Sequence, residues 1–260
     1  MNTVSTRLMG GLGNMMFQIS AAFAVSLRDE KDFICNTENM MTPHKSYDYY
    51  SNNIFRKIKF SSEFENFEVI NEQGFNYHKI PSTVGNAKLN GYFQSEKYFI
   101  DFKKEILNLF EIDQDTESYL SEKYQKILNN NTCSIHVRRG DYINLPNHHP
   151  TQSMDYYKNA IKMIGMEKTY LIFSDDIEWC KLNFDFLENK IFVNGNTDFQ
   201  DLYLMSKCND NIINNSTFSW WGVWLNQNIN KKVIAPKNWF GKSNENLDTS
   251  DLYFENNIIL

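Results

Sequence analysis

Two adjacent arginines stand where an apolar run ends. The segment "TCSIHVRRGDYIN" (132–144) places Arg138 and Arg139 directly before Gly140 and Asp141. Buried charge is costly unless it is paired, so the run predicts a strand whose arginines meet an anion at its end. A guanidinium group suits phosphate because its planar fork binds two oxygens at once and stays charged. A structural pair between one of these arginines and Asp141 is the open alternative.

Strand geometry predicts different surroundings for the two arginines. Side chains of a strand alternate between its faces, so Arg138 would share a face with His136, and Arg139 would share the other with Val137. One arginine is then expected to meet the ligand and the other to pack in a hydrogen-bonded support. The Arg-Gly-Asp triplet as a cell-adhesion signal would need an exposed loop of a secreted protein, and neither condition is indicated.

A glycine-rich turn lies between a predicted strand and a predicted helix near the N-terminus. In "MGGLGNMMFQ" (9–18), Gly11, Gly13 and Asn14 would bring backbone N–H groups at a helix start close to an anion. A dinucleotide fingerprint would need a third glycine where Met16 stands. An NAD site is therefore disfavoured, and a purely structural turn stays open.

Acidic residues follow the apolar strand "TYLIFS". Asp175 and Asp176 are able to bind a metal, cap the next helix, or accept hydrogen bonds from a base or ribose. We expect one of the two to cap the helix. The second acidic pattern, "DQD" (113–115), precedes a helical sequence and indicates a helix start rather than a metal-binding Asp-x-Asp.

Hydroxyl groups mark a further transition from strand to helix. Ser216, Thr217 and Ser219 in "NNSTFSWWGVWL" (214–225) stand beside free helical N–H groups, which suits a phosphate or a nucleoside. The three tryptophans of this segment are expected to pack inside the fold. An arginine clamp, two helix N-termini and a carboxylate at strand ends fit a bound nucleoside diphosphate with no obligatory metal.

Strands and helices alternate four times in the second half. The apolar strands are short and the helices amphipathic, which predicts a parallel sheet covered by helices on both faces. Ligands of such sheets bind beyond the carboxyl ends of the strands. The first half is less regular, and residues 40–90 are ambiguous. The polar stretch "NNNT" (129–132) predicts a boundary between an N-terminal lobe, 1–130, and a C-terminal nucleotide-binding lobe, 131–260, whose tail packs back on the first.

Composition excludes several classes of protein. The 260 residues carry a formal net charge of −6, which argues against a nucleic-acid binder held by bulk charge. Four widely spaced cysteines form no C-x-x-C pair and indicate reduced thiols in the cytoplasm. No apolar run reaches the roughly 18 residues of a membrane span. We expect at most peripheral binding to the inner membrane, and we expect the sequons at Asn130, Asn214 and Asn215 to be incidental.

Four blocks together resemble the α-1,2-fucosyltransferases of bacterial O-antigen and oligosaccharide synthesis. They are "GGLGNMMFQ", "GYFQSEKYF" (91–99), "HVRRGDY" and "NSTFSWWGVWL", and they follow in that family's order over residues 10–225. The segment "HPTQSMDYY" is similar to the family's region after the arginines. One departure is Met15, where the family usually has Gln, and it leaves Asn14 and the glycines in place.

The resemblance implies an α/β fold of the GT-B type, in which two Rossmann-like lobes face each other across a cleft. It also implies a GDP-β-L-fucose donor, inversion at the anomeric carbon and no metal or other cofactor. The acceptor would be a galactose-terminated oligosaccharide or lipid-linked glycan, and no nucleic acid is involved. Another nucleotide-sugar transferase with the same lobes, or a non-catalytic nucleotide-binding module, are the alternatives.

The resemblance also implies roles for particular residues. Arg139 would meet the diphosphate with support from Arg138 and His136, and Asp175 or Asp176 would address guanine or ribose. The remaining donor contacts would come from Gly11, Gly13, Asn14, Ser216, Thr217 and Ser219. Asp141 is the first candidate for the base that activates the acceptor hydroxyl, and His149 is the second.

Overall fold

Two main parallel sheets organise the chain, and the structure, a computed structural model, describes residues 2–37, 45–63 and 66–260. The chain divides into a first unit, Met1–Asp113 with Leu247–Leu252, and a second unit, Gln114–Asn246 with Tyr253–Leu260. The sequence-based boundary follows residue 130, whereas this division falls before the helix that precedes it. That helix has a polar outer face and belongs with the second unit.

The first unit is built on short strands. Its elements are β1 (Thr3–Thr6), α1 (Leu12–Arg28), β2 (Asp32–Phe33), β3 (Cys35–Asn36), α2 (Tyr47–Tyr50), β4 (Phe60–Ser61), β5 (Glu68–Asn71), β6 (Ala87–Asn90) and α3 (Lys103–Leu109). The main sheet has the parallel order β2-β1-β6-β5, and β3 pairs with β4. Helix α1 is buried along most of its length, and Met15 is wholly inside the core. The departure from Gln at this position therefore replaces a polar group with an apolar one among core side chains.

The second unit has the predicted alternation. Its elements are α4 (Gln114–Leu128), β7 (Thr132–Val137), α5 (Met154–Ile164), β8 (Thr169–Ser174), α6 (Ile177–Asn183), β9 (Lys190–Phe192), α7 (Asp198–Ser206), β10 (Asp210–Ile212), α8 (Thr217–Leu225), β11 (Val233–Ala235) and β12 (Asn257–Ile259). The sheet order is β12-β11-β10-β7-β8-β9, parallel throughout. The α/β class with parallel sheets is confirmed.

Strand β7 lies in the interior of this sheet. All six of its residues are buried, and it pairs with β8 on one side and β10 on the other. At its amino end, a buried ion pair joins Lys168 to Asp210, and Asn131 also accepts from Lys168 at 2.9 Å. Because the strands are parallel, the residues that follow them all lie at the carboxyl ends of the strands, which form the carboxyl edge of the sheet.

Two further expectations concern side chains of the core. All four cysteines are unpaired and buried, and Trp220, Trp221 and Trp224 pack inside the fold as predicted.

Among the described residues, no helix has the length and apolar character needed to cross a membrane.

Candidate functional site

Arg138 and Arg139 both follow the end of β7, which stops at Val137. The strict alternation of a strand therefore does not govern them. Arg138 donates from Nη2 to Oδ1 of Asp141 at 2.7 Å, and its Nη1 lies 3.1 Å from Oδ2 of Asp175. The structural Arg–Asp pair that the sequence left open is thus present, and Arg138 is the arginine that forms it.

Arg139 is held along one edge and across one face. Its Nε lies 3.1 Å from Oδ2 of Asp176, and its Cζ lies 4.0 Å from the centre of the Trp179 ring. Such cation–π contacts are attractive and orient the guanidinium plane. Neither Nη atom has a hydrogen-bond partner among the described residues. The outer edge of Arg139 is therefore oriented and still able to donate two parallel hydrogen bonds to an anion.

Asp175 fixes the turn that carries the arginines. Its Oδ1 accepts from the backbone N–H of Arg139 at 2.9 Å, while its Oδ2 pairs with Arg138. A Cβ added at Gly140 would lie 2.6 Å from that Oδ2. A larger residue here would push the Asp175 carboxylate away from its two bonds, which gives the middle residue of Arg-Gly-Asp a structural reason.

Asp176 is the helix cap that the sequence predicted for one of the two aspartates. It precedes α6, and its Oδ1 accepts from the backbone N–H of Trp179 at 3.2 Å. Its other oxygen holds Arg139. Both aspartates thus bond to arginines in this structure, and a contact of either with guanine or ribose stays a prediction.

His136 lies in β7, two residues before Arg138, and its imidazole is neutral. Burial, with the nearby charge of Arg138, lowers the pKa of His136 to about 3. Its ring packs at 5.4 Å from the ring of Phe218, and within the described chain its buried Nδ1 has no hydrogen-bond partner. An uncharged imidazole at this place is suited to hydrogen bonding rather than to ionic attraction.

The hydroxyl residues after β10 have different positions. Ser216 is the cap of α8 and accepts from the N–H of Phe218 at 3.3 Å, and Thr217 is the first residue of the helix. Ser219 is buried, and its hydroxyl hydrogen-bonds to the backbone of Asn214. The helix start is thus where the sequence places it, with Ser219 turned to internal bonds, and phosphate contacts of these three residues stay predictions.

Asn215 connects three loops at this edge, a role that sequence reasoning missed. Its side chain accepts from Gln152 at 3.0 Å and donates to the carbonyl groups of Pro150 and Trp239 at 3.1 and 3.0 Å. Its own carbonyl accepts from Tyr142 at 2.9 Å. The sequence showed Asn215 only as part of a sequon, and its burial fits the view that the sequon is incidental.

The two candidate bases are both near Arg138. Asp141 is largely exposed but is engaged by Arg138. His149 is half-buried and stacks on the ring of Tyr142 at 4.9 Å, with Phe240 at 5.8 Å. Burial lowers the pKa of His149, so its imidazole is neutral near pH 7 and able to accept a proton.

The glycine-rich residues belong to the first unit. Gly11 precedes α1, which contains Gly13 and Asn14 near its start. The amide of Gln18 fixes the preceding turn, because it both accepts from the N–H of Met9 at 2.8 Å and donates to the Met9 carbonyl at 3.2 Å. The predicted site residues therefore form two groups, one in each unit.

A second turn of the first unit supports Asn14. Gln94 donates from Nε2 to Oδ1 of Asn14 at 3.0 Å, which joins the "GYFQ" segment to the glycine-rich turn. In the sequence, Gln94 carries no signal beyond its place in "GYFQSEKYF". Over the described ranges, no cluster of three or more His, Cys, Asp or Glu residues is arranged to hold a metal ion.

Comparison with known proteins gives consistent results. The family model for glycosyl transferase family 11 matches residues 1–257. The O-antigen biosynthesis glycosyltransferase WbnK of Escherichia coli is 32% identical over 94% of this chain and 97% of its own. The alpha-1,2-colitosyltransferase of Escherichia coli is 32% identical over 95% of each chain.

A solved structure extends the likeness to the fold. NodZ, an alpha-1,6-fucosyltransferase soaked with GDP-fucose, superposes with a TM-score of 0.58 over 86% of this chain and 92% of its own, at 12% identity. That likeness concerns the fold alone, which is GT-B-like. The full-length family match, together with two relatives of 32% identity, shows that this chain belongs to glycosyl transferase family 11.

Proposed function

We propose that this glycosyltransferase is a galactoside α-1,2-fucosyltransferase. It transfers L-fucose from GDP-β-L-fucose to the 2-hydroxyl of a terminal β-galactose, with inversion and without a metal ion. The acceptor is an oligosaccharide or a lipid-linked glycan of O-antigen type, and in the second case the protein binds the inner membrane peripherally.

One observation carries the proposal. The edge of the Arg139 guanidinium that bears both Nη atoms is oriented and has no hydrogen-bond partner among the described residues. Asp176 and Trp179 fix the guanidinium, and both Nη atoms are left to donate. A fixed pair of donors matches two oxygens of a diphosphate. Because charge builds on the β-phosphate as GDP leaves, a donor held in place stabilises the transition state more than the ground state.

The reaction is one in-line displacement. The acceptor oxygen O2 forms a bond to C1 of fucose as the bond from C1 to the β-phosphate oxygen breaks, and GDP leaves with that electron pair. The proton of the acceptor hydroxyl passes to a base. Oδ1 of Asp141 is already engaged by Arg138, whereas the imidazole of His149 is neutral and forms no salt bridge with a described residue, so His149 is favoured as the base.

Transfer of a different sugar from a GDP donor is the second candidate. One bacterial relative is named for colitose, which is fucose without the 3-hydroxyl group. The groups around Arg139 address the diphosphate and not the sugar, so they fit either donor. Specificity then depends on how the fucose 3-hydroxyl is bound.

Titration calorimetry with GDP, UDP and ADP tests the nucleotide. We expect GDP to bind most tightly, and equal affinities would overturn the proposal. Assays with GDP-fucose and GDP-colitose against lactose, Gal-β1,3-GalNAc and Gal-β1,3-GlcNAc then identify the sugars, with the linkage read by NMR. Activity that collapses with EDTA would contradict the metal-independent mechanism.

A further inference from the structure

Three loops of the first unit meet at the carboxyl edge of its main sheet. The glycine-rich turn follows β1, the segment Gly91–Gln94 follows β6, and Glu72 follows β5. Because β1 and β5 both pair with β6 in parallel, these three points lie side by side. We name Gly91–Gln94 the GYFQ turn.

Glu72 holds the backbone of the GYFQ turn with both carboxylate oxygens. Its Oε2 accepts from the N–H of Tyr92 and its Oε1 from the N–H of Phe93, each at 2.7 Å. A Cβ at Gly91 would lie 2.3 Å from the Cβ of Glu72, so glycine is required for this close approach. The carboxylate acts here as a clamp on backbone groups rather than as the partner of a cation.

The turn has a backbone conformation that is rare for a bulky residue. Phe93 has a φ of +52° in the left-handed region, and its ring is buried against Tyr98 at 5.2 Å. Such conformations persist only where surrounding contacts impose them, and they concentrate at functional sites. Glu72, the buried Phe93 ring and the bond from Gln94 to Asn14 are those contacts.

What this rigid turn presents is the ring of Tyr92. Tyr92 is 41% exposed, and in the described part of the chain its ring makes no aromatic contact and its hydroxyl no hydrogen bond. The amides of Gln94 and Asn14 lie on the same turn and the adjoining one. An exposed aromatic ring on such a turn matches a sugar, whose C–H face stacks on aromatic rings.

We propose that the GYFQ turn is an acceptor-binding element, with Tyr92 stacking on the apolar face of the terminal galactose and Glu72 as the positioning residue that presents it. The inference rests on the proposed function, because it takes the acceptor from there.

Steady-state kinetics of Tyr92→Ala with the galactoside that the wild type fucosylates best test the stacking contact. We expect the KM for the acceptor to rise about tenfold, with the affinity for GDP unchanged. Tyr92→Phe keeps the ring and should stay within about twofold of the wild type. Tyr49→Ala is the matched control, since Tyr49 is 38% exposed but already packs against Tyr50 at 5.0 Å and under Lys45.

Glu72→Gln tests the positioning role. An amide offers one acceptor where two N–H groups need one each, so the turn loosens and the KM for the acceptor should rise, again without a change in the affinity for GDP. A general loss of stability would change both quantities. Saturation-transfer NMR with the same galactoside checks the contact directly: its ring-proton signals should weaken in Tyr92→Ala.

The outcomes separate the two proposals. Transfer by the wild type, combined with an unchanged acceptor KM and undiminished NMR signals in Tyr92→Ala, would overturn the inference alone. Preferential GDP binding with no transfer to any galactoside would overturn the proposed acceptor, and the inference with it.

Discussion

The carboxyl edges of the two main sheets are built from the same fold element but with different chemistry. In the second unit, Asp175 and Asp176 hold the guanidinium groups of Arg138 and Arg139. In the first unit, the carboxylate of Glu72 holds backbone N–H groups. The difference teaches that a parallel sheet supplies the place, while the side chains after its strands select an anionic or a neutral ligand.

The comparison also concerns what each edge leaves available. The edge in the second unit presents an oriented positive charge, because Asp176 and Trp179 hold Arg139 while its Nη atoms have no partner in the described chain. The first presents an oriented ring, Tyr92, on a turn with a fixed backbone. If the first edge binds a neutral sugar and the second a diphosphate, substitutions at the two should change different kinetic constants.

Removal of the Arg139 side chain should have the largest effect. We expect Arg139→Ala to lower kcat/KM by about a hundredfold or more, because a charge-stabilising donor at the leaving group is lost. Arg139→Lys should also fail, since an ammonium group cannot make two parallel bonds. The measurement is GDP release in the presence of acceptor, with circular dichroism to confirm folding.

Lys181→Ala is the control for charge alone. Lys181 belongs to α6 and is exposed, and Glu178 of the same helix is its only ionic partner among the described residues. Its loss should leave turnover unchanged. Near-normal turnover of Arg139→Ala would refute the assignment of Arg139 and remove the contrast between the two edges.

A methyl group at Gly140 should have the next largest effect. Gly140→Ala displaces the carboxylate of Asp175, which then loses its bonds to the Arg139 N–H and the Arg138 guanidinium. We therefore expect the affinity for GDP to fall about tenfold. Gly85→Ala is the matched control, since nothing lies within 4 Å of a Cβ there. Calorimetry measures both.

A double substitution tests the cause. If the clash with Asp175 is responsible, Gly140→Ala combined with Asp175→Ala should bind GDP no more weakly than Asp175→Ala alone. Fully additive losses would show that Gly140 matters for another reason, such as its backbone conformation.

The neutral state of His136 is the prediction with the smallest expected effect. Because burial lowers its pKa to about 3, the ring signals of His136 should not shift between pH 5 and 8 in NMR spectra of the folded protein. The reference is the urea-unfolded chain, in which histidine has a pKa of about 6.5. A titration of the folded His136 near neutrality would contradict its assignment as a neutral group.

The same shift predicts a stability difference with a defined sign. Below pH 6.5 the unfolded chain binds a proton that the folded His136 refuses, so stability falls as the pH drops towards 3. His136→Gln should reduce this slope by at most about 1.4 kcal/mol per pH unit. Urea unfolding at several pH values measures it.

The second unit was predictable because its strands carry strong local signals. Thr169–Ser174 is a short apolar run with buried residues, and it is followed by a capped helix. By contrast, β5 and β6 fell in the ambiguous region. Three of the four residues of Glu68–Asn71 are exposed, and Ala87–Asn90 is too short for alternation to be recognised.

The arginine site was predictable in kind but not in detail. The residue types of Arg138 and Arg139 indicate an anion, whereas the two aspartates that bond to Arg139 lie 36 and 37 residues away in sequence and are joined to it only by folding. Trp179 carried no signal of its own, because a tryptophan in an amphipathic helix usually packs in the core. Glu72 was likewise hidden, since its partners are backbone groups that any sequence has.

The four buried thiols give the folded protein a practical property. Each of Cys35, Cys133, Cys180 and Cys208 is almost fully enclosed, and burial also raises the pKa of the Cys133 thiol, which suppresses the reactive thiolate. Alkylating reagents should therefore modify the chain only when it opens, so the labelling rate reports unfolding. A single cysteine introduced at an exposed site would then accept a fluorophore selectively, with no need to remove the native ones.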